Sequence, residues 1–258
     1  HPETLVWART GVSDMLLSGC MGTALFTFFL AYAQPEFPQR QRNWYLTAYA
    51  CLGLAVLTKG PVGIVLPGLI VIAFLLYVGQ LRKVLREMQL LPGLLIFFAI
   101  TVPWHVLVIA ANGRDYIDAF FGYHNVERFT DVVNGHAAPW YFYFVVVAVG
   151  FLPWSPFLPW AIARLQCHRP TFWQQQPRSA HLGIFALAWF VVIFGFFTIA
   201  VTKLPSYVLP LMPAVAILVA LGWSDRLCPP PQPRSPDRGF WLSYGLNLLI
   251  FGVLPLHG

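Results

Sequence analysis

Lys59 stands in the stretch LTKGPVG, between a threonine and Gly60, with Gly63 close behind. Glycine lets backbone approach a ligand, so an ammonium here can meet an anion through side chain and main chain together. The run is not a P-loop, which needs a longer glycine-rich turn after a strand. A lysine snorkelling to water at a membrane edge is the plain alternative. Lys203 and Tyr207 flank Pro205 in TKLPSYVLP. Pro205 lacks an amide hydrogen and disfavours helix in the residue before it, so a helix should break there and present Lys203 and Tyr207 to a cavity. A simple turn with two interfacial anchors is the competing reading. Arg128 follows His124 by four residues, so both would share a helical face. Arg128 offers a planar fork for a phosphate, and His124 a hydrogen bond or a metal ligand; a solvated charge face is the alternative. Asp14 opens an apolar run, where it either turns toward a bundle interior or serves as an N-terminal acid or cap. Glu3 and Arg9 lie just upstream and join the same cluster. Lys59, Arg128 and Lys203 together suit the phosphate of a lipid-soluble ligand, whose tail would lie among helices while its head reaches the surface.

Such residues need elements that hold them at a membrane edge, and the composition provides them. The 258 residues are 58% hydrophobic and only 10% charged, where a soluble domain carries about 25% charged residues. Lipid must replace water over most of the surface. Aromatics at 16% agree, because Trp and Tyr favour both interfaces. The net charge of +6 does not indicate nucleic acid, since the basic residues sit in separate loops and form no stripe or recognition helix. The four cysteines show no zinc or CxxC spacing and read as free thiols. Apolar stretches long enough for spans, or nearly so, occupy 12–33, 44–57, 62–79, 90–111, 140–163, 182–201, 207–223 and 240–256. The expected fold is an all-α membrane protein, a polytopic transmembrane bundle of about seven or eight helices. Within the long loop 112–139, the run YIDAFFGYHNVERF has the spacing of an exoplasmic interfacial helix.

The loops alternate in charge. One set holds Arg40, Arg42, Arg82, Lys83, Arg86, Arg164, Arg169, Arg178, Arg226, Arg234 and Arg238; the other holds Arg9, Lys59, Arg114, Arg128 and Lys203. By the positive-inside rule the richer set is cytoplasmic. Asp14, Lys59, the loop 112–139 and the segment 202–207 then share the exoplasmic side.

At these residues the sequence resembles the polytopic glycosyltransferases that use polyprenyl-phosphate sugars, in particular the lipid A aminoarabinose transferases and the protein mannosyltransferases. The stretches that carry the likeness are ARTGVSDMLL, GLAVLTKGPVGIVLP, FFGYHNVERF and TKLPSYVLPLMPAVAIL, in order. The resemblance implies a bacterial inner-membrane enzyme with its site facing the periplasm or exterior. It would transfer a sugar, with inversion, from a polyprenyl-phosphate carrier to a lipid or protein acceptor. Arg128 and Tyr207 would contact the carrier phosphate, Lys59, Lys203 and His124 would complete the binding site, and Asp14 would take the catalytic acid position. The proposed base of such enzymes lies in an earlier exoplasmic loop, so residues 1–258 are expected to be a partial glycosyltransferase domain, lacking N-terminal spans and a C-terminal portion and inactive alone. No cofactor is called for; a divalent metal stays open, with no ligand set identified. Expected partners are the lipid-linked sugar, the acceptor and membrane lipids. A transporter or flippase of a lipid-linked anion is the principal rival, and a non-catalytic scaffold a third reading.

Overall fold

The computed structural model describes residues 2–10, 13–113, 138–227 and 238–253. Every element among them is helical. In order they are α1 (Pro2–Arg9), α2 (Ser13–Ala33), α3 (Pro38–Lys59), α4 (Val62–Tyr77), α5 (Leu81–Glu87), α6 (Leu90–Asn112), α7 (Phe142–Gly150), α8 (Leu158–Arg164), α9 (Pro170–Gln175), α10 (Leu182–Ile199), α11 (Met212–Leu227) and α12 (Arg238–Val253), with a 3-10 stretch, Pro205–Leu211, leading into α11. The expected interfacial helix at 116–129 lies outside the described residues.

All eight apolar stretches are mainly helical where described, but not all are single full-length spans. Four elements are long and apolar enough alone: Ser13–Ala33, Leu90–Asn112, Arg178–Ile199 and Pro205–Leu227. A fifth arises if Phe142–Gly150 and Ser155–Arg164, which meet at 115°, count as one broken span. The expected seven or eight spans therefore become four or five by length and composition among the described residues. The reasons are local. The first turns of α3 read PQRQRN, and α4 has 16 residues, about 24 Å of helix against a hydrocarbon core of roughly 30 Å.

The α3–α4 hairpin is set by two glycines. Gly60 ends α3 with a φ of 77°, which a side chain would resist. Gly63 packs so closely that a Cβ there would lie 2.5 Å from the Ala55 carbonyl carbon. Further along the bundle, the rings of Tyr32, Phe74 and Phe185 meet edge-on, with Phe74 5.1 Å from each of the others, an arrangement their quadrupoles favour. The fully buried Trp189 donates its indole hydrogen to the Pro210 carbonyl at 2.8 Å, tying α10 to the 3-10 stretch. At the α7–α8 elbow, Ser155 donates to the Ala148 carbonyl at 2.5 Å and Asn247 of α12 to the Pro153 carbonyl at 2.6 Å. These bonds satisfy carbonyls that a continuous helix would have used. On α6, Leu91, Leu95 and Leu107 are each more than half exposed, as lipid-facing side chains are.

One end of the bundle is closed by a polar network. Arg178 makes a forked pair with Glu87 at 2.7 and 3.1 Å and lies 5.0 Å over the Tyr32 ring. His181 bonds through Nε2 to the Trp173 carbonyl at 2.8 Å, so its Nδ1 accepts from the Tyr32 hydroxyl at 2.7 Å. The other end holds the candidate site.

Candidate functional site

Asp14 is the hub. It lies in the first turn of α2 and is buried, 7% exposed. One carboxylate oxygen accepts from the Lys59 ammonium at the end of α3. The other accepts from the Ser206 hydroxyl in the 3-10 stretch at 2.6 Å. A single carboxylate thus joins three stretches separated by 45 and 192 residues. A bond between an ion and a hydroxyl or ammonium is about twice as strong as a neutral one, and in a partly buried place it fixes its partners firmly.

Lys59 then faces Tyr207, its ammonium 4.6 Å from the ring centroid. This distance suits a cation over an aromatic face. Tyr207 leans on Phe197 of α10, centroids 5.2 Å apart. The local conformation that carries Ser206 and Tyr207 follows from Pro205. Leu204 is extended before the proline, and its N–H and carbonyl both bond the Tyr143 hydroxyl of α7 at 3.2 Å. The proline break expected at 205 is therefore real, and Tyr143 caps it.

Lys203 has a local partner set. Its ammonium donates to the Thr198 carbonyl at 3.0 Å and the Ala200 carbonyl at 2.5 Å, and the residue is 8% exposed. A cation at a helix C-terminus satisfies free carbonyls and opposes the dipole. Two of the three donors of Lys203 are committed there. Arg128 and His124 lie outside the described residues. Glu3, on α1, is buried against α7, where a Cβ on Gly150 would lie within 3.0 Å of several of its atoms, and among the described residues neither carboxylate oxygen has a hydrogen-bond partner within normal geometry. Burial lifts its carboxyl from 4.5 to about 7, only partly offset by the neighbouring Trp7. Among the described residues, no three His, Cys, Asp or Glu side chains converge on a metal position.

The structure brings together Asp14, Lys59 and Tyr207, as the sequence suggested, and adds Ser206 and Tyr143. Ser206 lay inside a stretch already singled out; its signal was a hydroxyl beside a proline break. Tyr143 gave none, being one aromatic among several in WYFYF. Chemically, the arrangement offers one ammonium, one phenol and one hydroxyl around a carboxylate at the edge of an apolar bundle. It can bind an oxyanion on the Lys59–Tyr207 side while Asp14 holds Lys59 in place.

Three comparisons bear on this geometry. Residues 2–107 match the family model described as dolichyl-phosphate-mannose-protein mannosyltransferase. Among curated proteins, the chain is 32% identical over 212 residues to undecaprenyl phosphate-alpha-4-amino-4-deoxy-L-arabinose arabinosyl transferase 2 of Proteus mirabilis, covering 81% of this chain and 36% of that protein. The corresponding transferase of Pseudomonas paraeruginosa is 31% identical over 267 residues, covering 98% and 46%. Among solved structures, the crystal structure of ArnT from Cupriavidus metallidurans bound to undecaprenyl phosphate superposes with a TM-score of 0.72 at 30% identity, covering 94% of this chain and 40% of that one. The chain thus spans less than half the length of the relatives it matches.

Proposed function

Because this chain belongs to the family of membrane glycosyltransferases that use polyprenyl-phosphate-linked sugars, we propose that it moves a sugar from such a carrier to a lipid or protein acceptor at the exoplasmic face of a bacterial inner membrane. The observation that carries the reading is the junction of α2, α3 and the 3-10 stretch at Asp14, which sets Lys59 against Tyr207 at one end of an apolar bundle. The solved ArnT of Cupriavidus metallidurans, which superposes on 94% of this chain, is bound to undecaprenyl phosphate.

In this reaction the acceptor oxygen attacks the anomeric carbon of the sugar. The bond from that carbon to the carrier phosphate breaks, and its electron pair leaves on the phosphate. Charge grows on the phosphate oxygens in the transition state, so a fixed ammonium beside them lowers the barrier. Lys59 and Tyr207 take that task; the family resemblance adds Arg128 and His124, which lie outside the described residues. Lys203 contributes by holding the end of α10, with its third donor left for the ligand. The acceptor proton must go to a base. Asp14 gives one oxygen to Lys59 and the other to Ser206, which supports a positioning role, and the base is sought elsewhere in the protein. A divalent metal is not required by any of these steps.

The test uses the full-length protein in proteoliposomes. Lys59→Ala should lower kcat/KM for sugar transfer by about 100-fold while membrane insertion stays intact. Unchanged transfer by that variant removes the assignment. Movement of the lipid-linked sugar across the bilayer with no transfer, by the wild type, would establish the transporter reading instead.

A further inference from the structure

At the end of the bundle away from Asp14, a cleft of about 430 Å³ is lined by Gln34, Arg40, Asn43, Trp44 and Thr47. We propose that this cleft binds the head group of one anionic phospholipid from the leaflet at that end, which the loop charges make the cytoplasmic one.

The argument begins with register. Arg40, Asn43, Trp44 and Thr47 stand at i, i+3, i+4 and i+7 on α3, so they form one stripe of one helix face. Gln34 joins them from the α2–α3 connection. The stripe rises about 10 Å along the helix axis, comparable with the roughly 5–8 Å that head groups and glycerol add on each side of the hydrocarbon core. Arg40 sits at the outer end, within the polar first turns of α3. Trp44 is half-buried at the change from polar to apolar sequence, the level at which Trp marks the interface. Thr47 lies deepest. A phosphate at Arg40 would therefore place glycerol esters beside Asn43 and Thr47 and acyl chains along the apolar remainder of the bundle.

The chemistry selects an anion. Among the described residues, no carboxylate lines the cleft. Arg40 lies 5.3 Å over the Phe37 ring, which orients the guanidinium without neutralising it, and it has no carboxylate partner among the described residues. The Asn43 side-chain oxygen accepts from Gln39 at 3.4 Å, leaving its amide hydrogens to donate. The Thr47 hydroxyl donates to the Asn43 carbonyl at 2.9 Å, so its oxygen is left to accept. Guanidinium and amide donors together match a phosphodiester. The surrounding loops at this end are rich in Arg and Lys, complementary to an anionic leaflet.

Arg42 supplies the control, because it is exposed on the same turn of α3 but does not line the cleft. The full-length protein is taken from vesicles of phosphatidylcholine doped with phosphatidylglycerol, and retained lipid is counted by native mass spectrometry. The wild type and Arg42→Ala should each retain one phosphatidylglycerol, and Arg40→Ala should retain about ten-fold less. Asn43→Leu, which keeps the charge, should also weaken retention. Equal loss in Arg40→Ala and Arg42→Ala would mean diffuse surface attraction and overturn the site. Equal retention of phosphatidylcholine would overturn the anion selectivity, and displacement of phosphatidylglycerol by inorganic phosphate would overturn the lipid as ligand.

Discussion

Replacing Gly63 by alanine would put a methyl carbon 2.5 Å from the carbonyl carbon of Ala55, 2.6 Å from its oxygen and 2.7 Å from the Val56 nitrogen. These are main-chain atoms near the C-terminal end of α3, and they cannot rotate away as a side chain does. Restoring ordinary contact requires α3 and α4 to part by about 1 Å. Overpacking of this kind costs about 1–3 kcal/mol. The larger effect should fall on function, because Lys59 ends α3 only four residues from the first clash and would move with it. A displacement near 1 Å can reduce a positioned reaction by about 100-fold. Sugar transfer by full-length Gly63→Ala should therefore fall far more than its thermal stability. Gly68→Ala is the companion, since a Cβ there meets nothing within 4 Å and should leave transfer unchanged. Wild-type kcat/KM in Gly63→Ala would refute both the fixed hairpin and the importance of where it holds Lys59.

Three further outcomes follow from particular contacts. Ser206→Ala removes a hydroxyl from a buried carboxylate and should cost about 2 kcal/mol, visible as a lower Tm, with a larger fall in transfer than an alanine at the exposed Thr47 would give. Arg178→Ala leaves the half-buried Glu87 with Gln41 but without its fork and should destabilise by about 2 kcal/mol while changing KM for the lipid-linked sugar little, because it acts at the opposite end. Glu3 lies outside the four long spans, and its folded pKa of about 7 exceeds its ordinary value of 4.5. The folded protein then holds a proton that the unfolded chain releases, so stability should decline as pH rises from 4.5 toward 7 and level off above it. Melting curves of Glu3→Gln should lose that slope; an identical slope in the variant would discount the residue.

The end of the bundle at which each polar residue sits was legible in the sequence, because charge cannot rest in hydrocarbon and apolar runs count off the crossings. That is why Asp14, Lys59 and Tyr207 were expected together. Their pairing was not legible. Whether Asp14 bonds Lys59, Ser206 or water depends on how helices 45 and 192 residues apart rotate against one another, which is decided by contacts such as Gly63 on Ala55. Lys203 shows the reverse. Its partners, Thr198 and Ala200, lie within five residues, and a lysine just past a helix end is a local capping signal that its grouping with the other cations obscured. The elbow at 151–154 was hidden because 140–163 reads as one apolar run; Gly150 and the prolines Pro153, Pro156 and Pro159 were the signs of a break.

That elbow ties the last described helix to the middle of the chain. The Pro153 carbonyl is satisfied by a single amide, on Asn247, nearly a hundred residues downstream. During synthesis α7 and α8 emerge long before that amide exists. Until α12 arrives, that carbonyl lacks the partner it has in the folded bundle. An expression variant cut short before Arg238 would leave the Pro153 oxygen without its amide, and replacing Asn247 by leucine would do the same with one side chain.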